Sequence, residues 1–375
     1  MLLAILLVID ILLVICFAFV PYYTRATELF GVTLPAEHSR DPELRRLRAS
    51  YRNLMLALGA LLLALSTWLG LSQPADSLPA MILYLITVLF YLVAGFLVYL
   101  PKHFAMKRIK RERGWDVVPV DKTVVALADT APPARDVVSA AWLLLLPLVI
   151  LLTLAAVWLV WPQVPDVVPT HYGLNGVADA FTQKGPAAVL PLVVTQVFLA
   201  AIIAFAYFVV RRTRRQIDAD DPQGSRTRDL RFRRLTSGSI VGMGVLVELL
   251  IGTLMLMSLT AVGEVGLVLV PALVVLIIIS VGIVFFTSRV GQGGSRLREP
   301  VHNKATRAAA VNIDDDRFWL LGQFYFNPAD PAVFVEKRFG LGYTCNFARP
   351  ATWLLVGGLL VLTTGTLVAV FVLAG

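Results

Sequence analysis

The chain has 375 residues, 58% of them hydrophobic and only 15% charged, well below the roughly 25% charged residues of a typical soluble protein. Its net charge of +8 would suggest a nucleic-acid partner in a soluble domain. Here, however, the basic residues lie between long apolar runs, where they orient helices in a bilayer, and no nucleic-acid partner is expected. The two cysteines, Cys16 and Cys345, offer neither a disulfide framework nor a metal-binding spacing.

The apolar runs are long enough to cross about 30 Å of hydrocarbon, and the alternating ten-residue strands of a membrane barrel are absent. The sequence therefore predicts an all-α polytopic membrane protein with eight transmembrane helices, at about 1–20, 54–71, 80–100, 139–162, 186–210, 238–260, 265–287 and 351–374. Of the 33 Lys and Arg residues, 32 fall in the first, third, fifth and seventh connections. The positive-inside rule places those connections in the cytoplasm and both termini outside. Residues 1–20 lack a basic leader and a small-residue cleavage site, so a retained first helix is expected. Four stretches follow: a three-span region (1–138), a two-span unit (139–210), a basic loop with two spans (211–287), and a cytoplasmic segment with the last span (288–375).

In the first connection, Asp41 is placed to cap a basic amphipathic helix with Leu44, Leu47 and Tyr51 on one face, lying at the headgroups. The third opens with the basic run Lys102–Arg113, the end of a span running into anionic headgroups. The seventh is the largest. Its second half is aromatic-rich and predicts a small cytoplasmic β-hairpin, with strands at about 318–326 and 332–338 joined at Asn327–Pro331. Phe318, Trp319, Tyr325 and Phe326 would form its aromatic surface. Phe30–Pro35 and Phe339–Thr344 share a Phe-Gly start on the same side of the membrane, where they can pack together.

Phosphate-binding, dinucleotide, metallopeptidase and serine-hydrolase motifs are all missing, and no enzymatic activity, cofactor or metal is expected. His38, His103 and His302 are assigned to the inner side and His171 to the outer, so they cannot share a metal. Within the spans, Asp10, Gln196 and Glu248 fall near mid-depth. An acidic residue there costs roughly 2.5–3.5 kcal/mol on insertion scales, so Asp10 and Glu248 are candidates for pairing, sharing a proton or lining a path.

The fourth connection, Val164 to Gly185, carries one basic residue, Lys184, and is assigned outside. Pro165 and Pro169 bracket an extended segment. Asn175-Gly176 is a strong hairpin turn signal, giving arms at 168–172 and 177–181 with His171 and Asp179 on opposite sides. The order Pro165, Pro169, His171, Asn175-Gly176, Asp179, Lys184-Gly185 resembles the extracellular motif of a bacterial membrane domain of unknown function. That domain also forms the N-terminal part of the SDP-type toxin immunity proteins. The resemblance covers about 139–210, with Val177 standing where an acidic residue is common. Residues 315–353 resemble a second uncharacterised bacterial domain that often accompanies the first.

The resemblances imply a multi-pass protein of the bacterial plasma membrane. The expected role is sensing of, or immunity to, an extracellular peptide or envelope signal, with the lipid bilayer, that peptide and a cytoplasmic protein as partners. The alternative is a secondary transporter using Asp10 and Glu248.

Overall fold

A computed structural model describes residues 2–72, 78–115, 136–172, 178–214, 222–260, 265–297 and 316–374. The chain is mostly helical: α1 (Leu2–Ala18), the short α2 (Val20–Tyr23), α3 (Pro42–Ser72), α4 (Leu78–Glu112), α5 (Leu145–Val160), α6 (Leu190–Arg212), α7 (Pro222–Thr260), α8 (Val265–Val290) and α9 (Pro350–Ala374). Among the described residues, seven helices are long and apolar enough to cross a membrane, all of these except α1 and α2. The apolar α1 has 17 residues, a rise of about 26 Å.

Three helices are longer than a bilayer crossing needs. With 31, 35 and 39 residues, α3, α4 and α7 rise about 46, 52 and 58 Å against about 30 Å of hydrocarbon. The basic segment after Asp41 is thus not a separate surface helix. Asp41 does cap it, its carboxylate accepting the Glu43 amide at 2.9 Å. With neither Gly nor Pro from Glu43 to Leu58 to interrupt it, the helix then continues into the apolar run. Leu44 and Tyr51 are buried, whereas Leu61 and Trp68 further along are exposed where lipid would lie.

The helices form two packed groups. In the first, α3 packs against α1 and α4, with the Val14 side chain seated over Gly59 and Leu3 over Gly70. In the second, α7 packs against α5, α6 and α8, and α9 lies on α6. Contacts between α1 and α8 join the groups.

Among the described residues, four antiparallel two-stranded sheets complete the fold. They are β1 (Glu28–Leu29) with β2 (Val32–Thr33), β3 (Val167–Tyr172) with β4 (Ala178–Gln183), β5 (Trp319–Leu320) with β6 (Phe324–Tyr325), and β7 (Phe334–Glu336) with β8 (Tyr343–Cys345). The aromatic segment is therefore two hairpins, not one. Leu321 and Gly322, both at positive φ, close the first within the expected strand 318–326. The Asn327–Pro331 turn joins the two hairpins instead of forming the tip of one. A bridge between Tyr325 and Asn346 sets them side by side.

Candidate functional site

The polar side chains gather at three levels: the β3–β4 hairpin, the helix interior, and a junction at the far end of the helices from that hairpin.

The hairpin connects α5 to α6 and rests on the C-terminal end of α7. Val164 and Val168 are buried with Val157, Met255 and Leu259, and the Ser258 hydroxyl donates to the Pro169 carbonyl at 3.0 Å. Lys184 closes the base. Its ammonium donates to the Val164 carbonyl at 2.7 Å and lies 5.4 Å from the Trp161 ring centre, while its amide donates to Asp166 O at 2.7 Å. Pro165 is half-buried and Pro169 buried. In the backbone register His171 faces Ala180, and Tyr172 faces Ala178. Asp179 falls between those pairs at an irregularity, so it is not directly opposite His171. Asn175 and Gly176, and the side chains of His171 and Asp179, lie outside the described residues.

Asp10, Gln196 and Glu248 are fully buried, but in separate places. Asp10, on α1, accepts a hydrogen bond from Tyr84 of α4 at 3.0 Å, with the Ser66 hydroxyl of α3 beside it. Glu248, on α7, meets Gln196 of α6, whose amide nitrogen donates to the Glu248 backbone carbonyl at 3.2 Å. Among the described residues, neither Glu248 carboxyl oxygen nor the Gln196 amide oxygen has a hydrogen-bond partner. Gln196 and Glu248 thus form one site, and Asp10 belongs to the other helix group.

The junction is the most elaborate of the three. Phe30-Gly31 turns β1 into β2 and Leu321-Gly322 turns β5 into β6. All four residues have positive φ, between 48° and 74°. Such angles strain a residue with a Cβ, so Phe30 and Leu321 are held there by their surroundings. The two turns meet glycine to glycine, and a Cβ on Gly31 would stand 2.5 Å from the Gly322 carbonyl oxygen. Tyr99 and His103 of α4 brace the contact. The Tyr99 hydroxyl reaches Leu321 O at 2.7 Å and Phe30 O at 3.0 Å, and His103 Nδ1 lies 2.8 Å from Phe30 O. Phe339 stacks on Phe30 at 5.6 Å and sits 4.5 Å from the Tyr99 ring, so the two Phe-Gly segments do pack together.

Around this contact run buried ion pairs. Asp316 is held by Lys110 at 2.7 Å, by Arg338, and by the hydroxyl and amide of Thr33. Glu336 pairs with Arg25, which also lies 3.7 Å from Glu28. Among the described residues, three cations thus face three carboxylates, the kind of pairing that offsets the cost of burying charge. Burial nevertheless pushes the Glu28 carboxyl above its ordinary range, more than Arg25 and Arg338 pull it down.

A second buried set lies on α7 beside the end of α6. Arg233 forms two hydrogen bonds to Asp229, at 2.9 and 3.1 Å, and donates to the carbonyls of Val210 and Thr213 at 3.0 and 2.8 Å. It thereby satisfies carbonyls that the end of α6 leaves unpaired. Tyr343 of β8 lies within the electrostatic field of this pair, and burial raises its phenol. Gln292, after α8, exchanges two hydrogen bonds with the backbone of Gly342, at 2.8 and 3.0 Å. Asn346, fully buried, ties Asn327 and Asp330 together.

The aromatic residues singled out in the sequence divide. Trp319 and Tyr325 are buried and pack on each other and on Val335, Phe318 is half-buried, and only Phe326 is exposed. They do not form one surface, because strand alternation sends Trp319 and Tyr325 inward and Leu320, Phe324 and Phe326 outward. Sequence reasoning also passed over Tyr99, Lys110, Asp316 and Arg338. The one local signal for this contact was a Gly after large apolar residues in two segments, Leu29-Phe30-Gly31 and Leu320-Leu321-Gly322.

A domain of unknown function (DUF1648) matches residues 148–195, which hold most of α5, the β3–β4 hairpin and the start of α6. A family of unknown function (DUF5808) matches residues 328–353, from the Asn327–Pro331 turn to the first turn of α9. No curated protein and no solved structure matches the chain. Two domains of unknown function thus occur in one multi-helix chain, at the hairpin and at the junction.

Proposed function

We propose that the protein is an eight-span sensor or immunity protein of the bacterial plasma membrane, with both termini outside. In this reading the β3–β4 hairpin meets an extracellular peptide or envelope signal, and the junction presents the response to a cytoplasmic protein. No catalytic step is assigned to it. The observation that carries the reading is α7, which reaches both sites. Ser258 bonds to the hairpin at one end, and at the other the turn around Arg233 packs on Gln292–Gly294, whose Gln292 hydrogen-bonds to Gly342 of the junction. The residues between them rise about 38 Å as a helix, enough for a shift at one face of a bilayer to reach the other.

The test uses a strain lacking the gene, challenged with a panel of secreted antimicrobial peptides and envelope-active antibiotics. Wild-type protein should restore a resistance or reporter response, and a His171→Ala, Asp179→Ala variant should insert normally yet fail to restore it. A variant that behaves as wild type against every compound to which the gene confers a response sinks the role of the hairpin. Topology is tested separately by labelling with an impermeant maleimide after Cys16 and Cys345 are replaced by Ala. Phe181→Cys should react on intact cells, and Phe326→Cys only after permeabilisation.

The second reading, a proton-coupled transporter, draws on the Glu248 carboxyl oxygens, without a partner among the described residues, against Gln196. It would use that pair, with Asp10 in a separate role. Proton-dependent uptake in vesicles that disappears in Glu248→Gln would favour it. Inert vesicles over a broad substrate panel would count against it.

A further inference from the structure

Beyond the bilayer, α4 continues as a basic helix with two different faces. His103, Met106, Ile109 and Lys110 are buried against the junction. The opposite face carries Pro101, Phe104, Arg108 and Arg111, at helical spacings of three and four, with Lys107 beside them. A groove of about 870 Å³ opens along this face, within the roughly 300–1,000 Å³ range of small-molecule sites. Its wall changes character along the helix axis. Pro101 and Phe104, the latter 54% exposed, continue the membrane-crossing part. Lys107, Arg108 and Arg111 lie further out, and Lys110 and Asp316, paired with each other, also line the groove.

We propose that this groove binds the phosphate headgroup of an anionic phospholipid, with the upper acyl chain against Phe104 and Pro101. The charge distribution favours an anion. Neither Lys107 nor Arg111 meets a carboxylate among the described residues, and Arg108 has only an exposed pair with Glu112 at 3.7 Å, of a kind worth little in water. Asp316, at the edge of the groove, is already held by Lys110 and Arg338. A guanidinium fork and an ammonium suit phosphate oxygens. The exposed apolar wall is what separates a lipid from a soluble phosphate, which would gain nothing from Phe104. Because the buried face of the same helix turns carry Lys110 and His103, a lipid seated here would brace the junction from outside.

The test is native mass spectrometry of the purified full chain, titrated with dioleoylphosphatidylglycerol or dioleoylphosphatidylcholine. The wild type should prefer the anionic lipid. Lys107→Gln, Arg108→Gln, Arg111→Gln together should weaken that preference at least tenfold, given about 1 kcal/mol per basic residue near a charged surface. An equal charge change elsewhere, Arg45→Gln, Arg46→Gln, Arg52→Gln, should leave the preference intact. If the groove triple does not fold, Arg108→Glu alone, at a side chain 69% exposed, should give the same loss in smaller measure. Equal losses in both triples, or none in either, would overturn the proposal. So would displacement of the lipid by millimolar inorganic phosphate with no contribution from Phe104, as read in Phe104→Ser.

Discussion

Gly31 and Gly322 touch backbone to backbone, so that a Cβ on either would fall within 3 Å of the other's main chain. Each also sits at positive φ, 74° and 67°. Replacing either with Ala therefore adds backbone strain to a clash that no side-chain rotation can relieve. Gly31→Ala and Gly322→Ala should each cost at least about 2 kcal/mol. The double variant should cost less than the sum, since both lose one contact. Thermal melting of the purified protein measures this, and wild-type melting in both single variants would refute the contact.

Glu28 gives the junction a defined pH response. Burial holds its folded-state carboxyl above the ordinary value of 4.5, so the folded protein holds this proton more tightly than the unfolded chain. The resulting stabilisation is fully present below 4.5 and is lost as pH rises through the raised folded value. Glu28→Gln, neutral throughout, should melt close to wild type below pH 4.5 and gain on it as pH rises toward neutrality. A gap that widens in the acid direction would show the opposite shift. Asp41, held below its usual range by Arg113, is present in both proteins and cancels in the comparison.

Lys184 is expected to act locally. Lys184→Met removes the hydrogen bond to Val164 O and the contact with Trp161, at a cost of about 1–3 kcal/mol, while the helices beneath keep their packing. Amide hydrogen exchange should speed up across Val167–Tyr172 and Ala178–Gln183, with little change in α5 or α7. Unchanged exchange in the two strands would mean that Ser258 and the buried valines hold the hairpin alone.

Glu248 separates a structural role from a chemical one. A carboxamide at this position can donate to the unpartnered Gln196 oxygen. Glu248→Gln should therefore melt within about 1 kcal/mol of wild type, whereas Glu248→Ala should lose about 2–4 kcal/mol through the cavity and the stranded amide. If Gln proves as damaging as Ala, the helix pair requires a carboxyl group, and the satisfied-amide account fails.

The apolar runs and the paired arms of β3 and β4 were legible because they rest on local signals. A helix in hydrocarbon needs a continuous apolar stretch, and the two prolines Pro165 and Pro169 favour the extended backbone seen in β3, which pairs with β4. Helix lengths were read short at α3 and α7, because charged residues end an apolar run without ending a helix, whereas the basic run Lys102–Arg113 was read as the continuation of its span, as α4 has it. The aromatic segment was misread for a related reason. Leu321 at positive φ is no turn signal in a sequence. It takes that conformation because Gly31, Tyr99 and His103 press on the turn from other elements.

By itself, then, the sequence determined where the chain crosses from apolar to charged, and hence the helices long enough for a membrane and the hairpin between α5 and α6. Only the tertiary structure decided which charges share a site. Lys110 with Asp316, Arg25 with Glu336 and Gln196 with Glu248 are paired across elements distant in the chain. It also set Asp10 apart from Glu248 and sent Trp319 and Tyr325 into the core. The reason is that hydrophobicity and turn chemistry act over a few residues. Charge balance and close packing depend on which helices become neighbours, and one chain read alone carries no measure of that.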